Sequence, residues 1–228
     1  MDRYKKKKKI SAILMFLVLK SQYEKENKIL PEKRMWIKSW KTRRKQQGCF
    51  HNLFMELQLE DPEKYRRCLR MTADIFEDLV EKLSLLIKRQ DTHLRESISP
   101  AERLVVTLRH LATGETQESL SYSFRLGQST ISGIIKDTCR ALISVLQEKH
   151  LKFPDSELAR KVIAHDYMDR WNFPNCLGAM DGKHCLIDPP LQSGSSYFNY
   201  KEKFSIVLLG LVDAELRFIF VDVGTNGR

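Results

Sequence analysis

Apolar residues between positions 72 and 145 recur at intervals of three and four, whereas beyond position 204 they run almost without interruption. The first pattern is that of helices with one buried stripe and the second that of strands. Thr72 precedes Ile75, Phe76, Leu79, Val80, Leu83, Leu86 and Ile87, which predicts a capped amphipathic helix. Ser99-Pro100-Ala101-Glu102 reads as a capping box with proline at the first helical position. Leu104, Val105, Leu108 and Leu111 follow on one face, and Gly114 supplies the stop. A short helix from about Gln117 to Phe124, a turn at Arg125-Leu126-Gly127-Gln128 and a longer helix from about Ser129 complete a helix-turn-helix order, with Ile131, Ile134, Ile135, Leu142 and Val145 inward. A further amphipathic helix is expected over 155–171, with Leu158, Val162, Ile163 and Tyr167 inward, closing at Trp171-Asn172-Phe173-Pro174.

Beyond Pro174 the period changes. Ser205 to Val212 is nearly continuous apolar sequence and Phe218 to Val223 is aromatic and β-branched, the signature of strands covered on both faces. Asp213-Ala214-Glu215-Leu216 supplies the turn between them, with Asp213 as its cap.

Composition narrows the class. The chain has 228 residues, 42% hydrophobic and 30% charged, which supports a real core and argues against a membrane protein. The net charge of +10 is not spread evenly: residues 1–50 hold 16 Lys and Arg against 4 Asp and Glu, and residues 51–228 hold 23 against 25. The basicity is therefore an N-terminal arm, suited to a phosphate backbone, a nuclear import receptor or an anionic surface. Within it Lys5, Lys6, Lys7, Lys8 and Lys9 read as a nuclear localisation signal, with a cytoplasmic location as the alternative. The run Ile10 to Leu19 behind them is too short to span a bilayer, and no small-residue cleavage site follows it. Five cysteines, odd in number and without a CxxC pair, imply a reducing compartment. The spacing of Cys176, His184 and Cys185 does not match a zinc finger.

Candidate chemistry falls in two places. If the second helix of the helix-turn-helix enters a major groove, Gln128, Ser129, Thr130 and Ser132 at its N-terminus face the bases and Lys136 lies nearer the backbone. The alternative is a helical hairpin that only packs. Farther on, Gly178-Ala179-Met180-Asp181-Gly182-Lys183-His184 sets a lone carboxylate in a strand-like run. A buried Asp there needs a partner, either a divalent metal ion or the turn amides beside Gly182. Asp222, flanked by Val221 and Val223, points either to solvent or toward that site as a second metal ligand. Tyr197, Phe198, Tyr200 and Lys201 mix aromatic and basic groups in a loop that either lies along DNA or covers the sheet.

Together with Asp188-Pro189-Pro190, Ser193 to Lys201, Ser205 to Asp213 and Phe218 to Gly224, the Gly178–His184 motif resembles the start of the DDE nuclease domain of PIF/Harbinger-type transposases and of the host proteins derived from them. The match is dense over 171–228 and in fainter register over roughly 40–170. The resemblance implies an α + α/β architecture: an N-terminal helical region with a helix-turn-helix, followed by the first three strands of an RNase H-like nuclease fold, with Asp181 on a central first strand. It divides the chain into a basic arm (1–48), a helical region (49–174, helix-turn-helix at about 99–146) and an incomplete DDE nuclease domain (175–228). It implies Asp181 as the first catalytic carboxylate and a ligand of Mg²⁺ or Mn²⁺, the later carboxylates lying past Arg228. DNA, and a Myb-like DNA-binding protein, are its implied partners. Two functions follow as expectations: a metal-dependent DNA nuclease of transposase descent, inactive as this fragment, or a non-enzymatic DNA- or protein-binding remnant.

Overall fold

A computed structural model of the chain describes residues 37–93 and 96–226. The expectations for Lys5 to Lys9 and for Ile10 to Leu19 lie outside these residues. Residues 1–43 form a unit of their own, whose described part holds one helical turn, α1 (Ser39–Thr42). From Arg44 onward the elements are α2 (Arg44–Gln47), a π-helical turn (Phe50–Phe54) that runs into α3 (Met55–Glu60), then α4 (Pro62–Leu69), α5 (Ala73–Ile87), α6 (Pro100–Thr113), α7 (Gln117–Ser123), α8 (Gln128–His150) and α9 (Glu157–Trp171). Three strands follow: β1 (Ala179–Leu186), β2 (Ser205–Val212) and β3 (Phe218–Asn226). A helical region thus precedes a three-stranded antiparallel sheet. Among the described residues no helix is long and apolar enough to cross a membrane.

Local chemistry sets the helix ends. Ser99 Oγ accepts from the Glu102 amide at 3.2 Å, with Pro100 filling the position that lacks a donor need, and Gly114 closes α6 at φ +67°, where a side chain would be strained. Thr116 and Ser156 cap α7 and α9 in the same way, each at 3.2 Å from the amide three residues on. Thr72 is the exception: it sits at the start of α5 in extended conformation, but its side chain makes no capping bond.

The core centres on α6, which packs against α4, α5, α7 and α8. Seven successive residues, Glu102 to Leu108, are buried, so α6 is covered on every side through its first half, not only along one stripe. Leu111, expected inward, is exposed, although His110 and Ala112 on either side of it are half-buried. On α5 the buried positions are Phe76, Leu79, Leu83 and Ile87. Ile75 and Leu86 lie off this line and are exposed, which narrows the predicted stripe. On α8 the inward set is Ile131, Ile134, Thr138 and Ala141, with Ile135, Leu142 and Val145 half-buried at its edges. On α9 only Tyr167 is buried; Leu158 and Val162 are exposed, since this helix touches the rest of the chain by its C-terminal end.

The strand order is β1-β2-β3, both pairs antiparallel. Within the described sheet β2 is therefore the middle strand, and β1, with Asp181, lies at an edge and not at the centre. β2 is half-buried over most of its length, a correction to the two-sided cover that its apolar run suggested. No described helix lies flat on either face; α9 meets the sheet at its end.

Candidate functional site

The end of the sheet is held by three side chains. The Tyr167 hydroxyl donates to the Val212 carbonyl at 2.8 Å and accepts from the Ala179 amide at 2.9 Å, tying α9 to the last residue of β2 and the first of β1. Trp171 Nε1 donates to the Ala214 carbonyl at 2.9 Å. Asp213 caps the β2–β3 turn as its sequence suggested: Oδ1 accepts the amides of Glu215 and Arg217, and Oδ2 accepts from Arg217 Nε, all at 2.9 Å. Burial pushes this carboxyl up, but the two amides and the Arg217 guanidinium outweigh it and hold Asp213 below the usual carboxylate range.

Asp181 sits mid-strand in β1, opposite Gly210 of β2, which in turn faces Val221 of β3. Directly paired residues of antiparallel strands share a face. Asp181 therefore shares its face with Lys183, Leu208 and Gly210, around a hollow of about 300 Å³ that Phe218 also lines. The Phe218 ring lies over Gly210, where an added Cβ would come within 2.7 Å of it. A glycine opposite Asp181 thus leaves both the carboxylate and the ring their space. The Asp181 carboxylate is exposed, not buried, and Oδ1 accepts the Gly182 amide at 2.8 Å, the local bond that is the alternative to a metal. Asp222 pairs with Leu209, which pairs with Gly182, so it projects from the opposite face of the sheet. The register does not bring Asp222 to Asp181. Among the described residues no group of three or more His, Cys, Asp or Glu side chains is placed to hold a metal ion.

His184, also on the face away from Asp181, belongs to a network that sequence did not show. Asn199 Oδ1 accepts the amides of Lys201 and Lys203, so its Nδ2 is the donor to Ser205 Oγ at 2.7 Å. The Ser205 proton is then available to His184 Nδ1 at 2.9 Å, and every partner is satisfied when His184 carries its own proton on Nε2. Ser205 and Asn199 are both buried. This chain of bonds fixes the β1–β2 loop against β1. Tyr200 meets the His184 ring edge-on at 5.4 Å, and Phe198 packs edge-on against Phe204 while staying exposed on its other side. The asparagine accepting from residues two and four ahead is a turn signal that was readable; its link to His184 spans 15 residues and was not.

In the helical region, α7, a tight turn and α8 follow in the expected order. Leu126 is fully buried in the turn, Arg125 takes φ +53°, and Phe124 is buried behind it. At the start of α8, Gln128 and Ser129 are exposed, Thr130 and Ser132 half-buried, and Lys136 exposed one turn on, so all five sit at the accessible side or edge of the helix. Asp137 is the acidic residue among them, and it is engaged: Arg89 Nη2 lies at 2.8 Å and Arg103 Nη2 at 3.1 Å from its Oδ2. The hydrogen bond from Arg89 holds its carboxyl below the ordinary range, with the Arg89, Arg103 and Arg140 charges adding to it. The five cysteines are free; burial pushes the Cys49 thiol up to about 11, so it stays protonated.

Two curated proteins of Arabidopsis thaliana are similar to this chain. One, named Antagonist of Like Heterochromatin Protein 1, is 32% identical over 134 residues, which cover 57% of this chain and 33% of that protein. The other, named Protein ALP1-like, is 26% identical over 175 residues, 73% of this chain and 42% of its own length. The chain spans less than half the length of either relative. No family model matches it, and no solved structure matches it significantly.

Proposed function

We propose that this chain derives from a PIF/Harbinger-type transposase and that it works by binding DNA in chromatin and not by cutting it. The observation that carries the reading is the start of α8. Its polar N-terminal residues are exposed on a helix anchored by buried Ile131 and Ile134, and the one carboxylate beside them is engaged by two arginines, which leaves Lys136 and Arg140 as the outward charges of this flank. On this reading 49–174 is the DNA-docking helical region, with α7 and α8 as a helix-turn-helix. Residues 175–228 correspond to the opening strands of an RNase H-like nuclease, and 1–48 is a basic arm directing the chain to the nucleus. The relative whose name makes it an antagonist of a heterochromatin protein supports a chromatin-associated role and a chromatin protein as partner. A Myb-like partner rests on the family resemblance alone.

Asp181 stays the candidate ligand of a Mg²⁺ or Mn²⁺ ion. In a nuclease such ions stabilise charge on the attacking and leaving oxygens, and several carboxylates must converge to hold them. The described sheet does not fit that demand: Asp181 stands on one face, Asp222 on the other, and Asp213 is committed to its turn. No cleavage step is therefore assigned to these residues.

Selection of duplexes from a randomised pool tests the docking element, because the basic arm adds sequence-independent affinity but no consensus. The expected result is a short consensus that relaxes in Gln128→Ala and Ser129→Ala with the salt dependence unchanged, while Lys136→Ala keeps the consensus and lowers the salt slope by about one. A pool that yields no consensus, or one indifferent to Gln128 and Ser129, contradicts the assignment.

A further inference from the structure

The helical region carries a groove of about 530 Å³ whose lining residues serve none of the roles above. Its floor is apolar and part of the packed core. Phe54 and Tyr65 are buried there, Phe54 stacked on Phe124 at 5.9 Å between ring centres and Tyr65 edge-on to Phe76 at 6.2 Å, while Val105 comes from the central helix α6. These side chains belong to the packed core, so the space cannot close by their collapse. One wall is the π-helical turn Phe50–Phe54, a widened turn of a kind often found at functional positions.

The rim is acidic. Glu77 and Glu81 are exposed on α5 one helical turn apart, Gln58 donates to Glu77 Oε1 at 2.9 Å, and Met55 stands exposed beside them. Among the described residues no Lys or Arg lines the groove. His51, also in the lining, has its pKa pushed down by burial and by the Arg44 and Lys45 charges, so Glu77 and Glu81 are the charged groups of the lining itself.

We propose that this groove docks an amphipathic helix of a partner protein, its apolar anchors lying over the Phe54, Tyr65 and Phe76 floor beside Met55 and Val80 and its Lys or Arg side chains, four residues apart, meeting Glu77 and Glu81. Carboxylates spaced i, i+4 repeat at the pitch of a helix, which is the spacing that a docked helix of opposite charge presents. The volume falls in the range of pockets that bury several large side chains. A second copy of this chain is a poorer occupant, since a two-fold groove-to-groove contact sets the same acidic rims against each other. The inference goes beyond the DNA-binding reading and does not depend on it.

Two fluorescein-labelled peptides of about sixteen residues, sharing leucines at i, i+4, i+7 and i+11 and differing in whether Lys or Glu flanks them, serve as probes. Fluorescence anisotropy with the full chain measures each against parent, Glu77→Lys/Glu81→Lys and Met55→Glu. All three positions are exposed, so these variants keep the fold. Because the basic arm attracts the Glu peptide equally in every variant, the ratio of parent to variant isolates the groove. The expected result is saturable binding of the Lys peptide, weakened roughly tenfold by the charge reversal and abolished by Met55→Glu, with the reversal strengthening the Glu peptide. Absence of saturable binding, indifference to the charge reversal, or a parent dimer in sedimentation that Met55→Glu dissociates would overturn the proposal, the last in favour of self-association.

Discussion

Glu102→Ala is expected to cost about 3–5 kcal/mol, enough to unfold a domain of ordinary stability. Glu102 is buried on α6 with its Oε2 at 3.2 Å from Arg44 Nη1, and the side chains are 2% and 11% exposed. The contact is an ion pair and not an aligned hydrogen bond, for Nη1 lacks a well-directed acceptor. Removing the carboxylate leaves the buried Nη1 of the guanidinium without its counter-charge. The companion variant is the informative one: Glu102→Leu combined with Arg44→Met should recover most of the loss, because the cost lies in the stranded charge and not in the missing attraction. Urea unfolding followed by circular dichroism distinguishes the two outcomes, and a double variant as unstable as the single one would show that the pair itself contributes net stability.

Asp213→Ala should destabilise the β2–β3 hairpin by about 2–3 kcal/mol, since one buried carboxylate satisfies two turn amides and a guanidinium. The same bonds predict the pH dependence. The folded-state pKa of Asp213 lies below the ordinary carboxylate value of about 3.9, so its contribution is complete above that value and is lost as pH falls through the lower, folded one. Acid titration of hairpin stability by hydrogen exchange should show this loss in the parent and not in Asp213→Ala. A hairpin whose stability is the same in both across that window would mean that the turn holds without its cap.

What could be read from the chain beforehand followed the range of the interactions. Ser99-Pro100 and Gly114 act within one turn of the residues that they cap, so both ends of α6 were visible, and Asp213 showed itself as a turn residue for the same reason. Periodicity located α5 and α9 but overstated their inward sets. It tells which side of a helix is apolar, while the neighbours decide how much of that side is covered, and Ile75, Leu86, Leu158 and Val162 are left outside. The candidate site was half visible. The motif around Asp181 marks the strand, but whether Asp222 joins it depends on strand register, which two irregularities, at Val207/Leu208 and Leu211/Val212, adjust in ways no single segment reveals. The groove below Glu77 and Glu81 was hidden altogether, because its floor comes from α4, α5, α6 and the π-helical turn together.

The central claim, DNA binding without cleavage, is tested most directly by incubating supercoiled plasmid with this chain in Mg²⁺ or Mn²⁺ beside the Asp181→Ala variant, which exposes any contaminating nuclease. The account predicts that the plasmid stays supercoiled with both proteins, because the described sheet turns a single carboxylate toward the candidate site. Nicking by the parent that disappears in Asp181→Ala would contradict it and would show that further carboxylates, from Asp222 in a different register or from a second chain, complete a working metal centre.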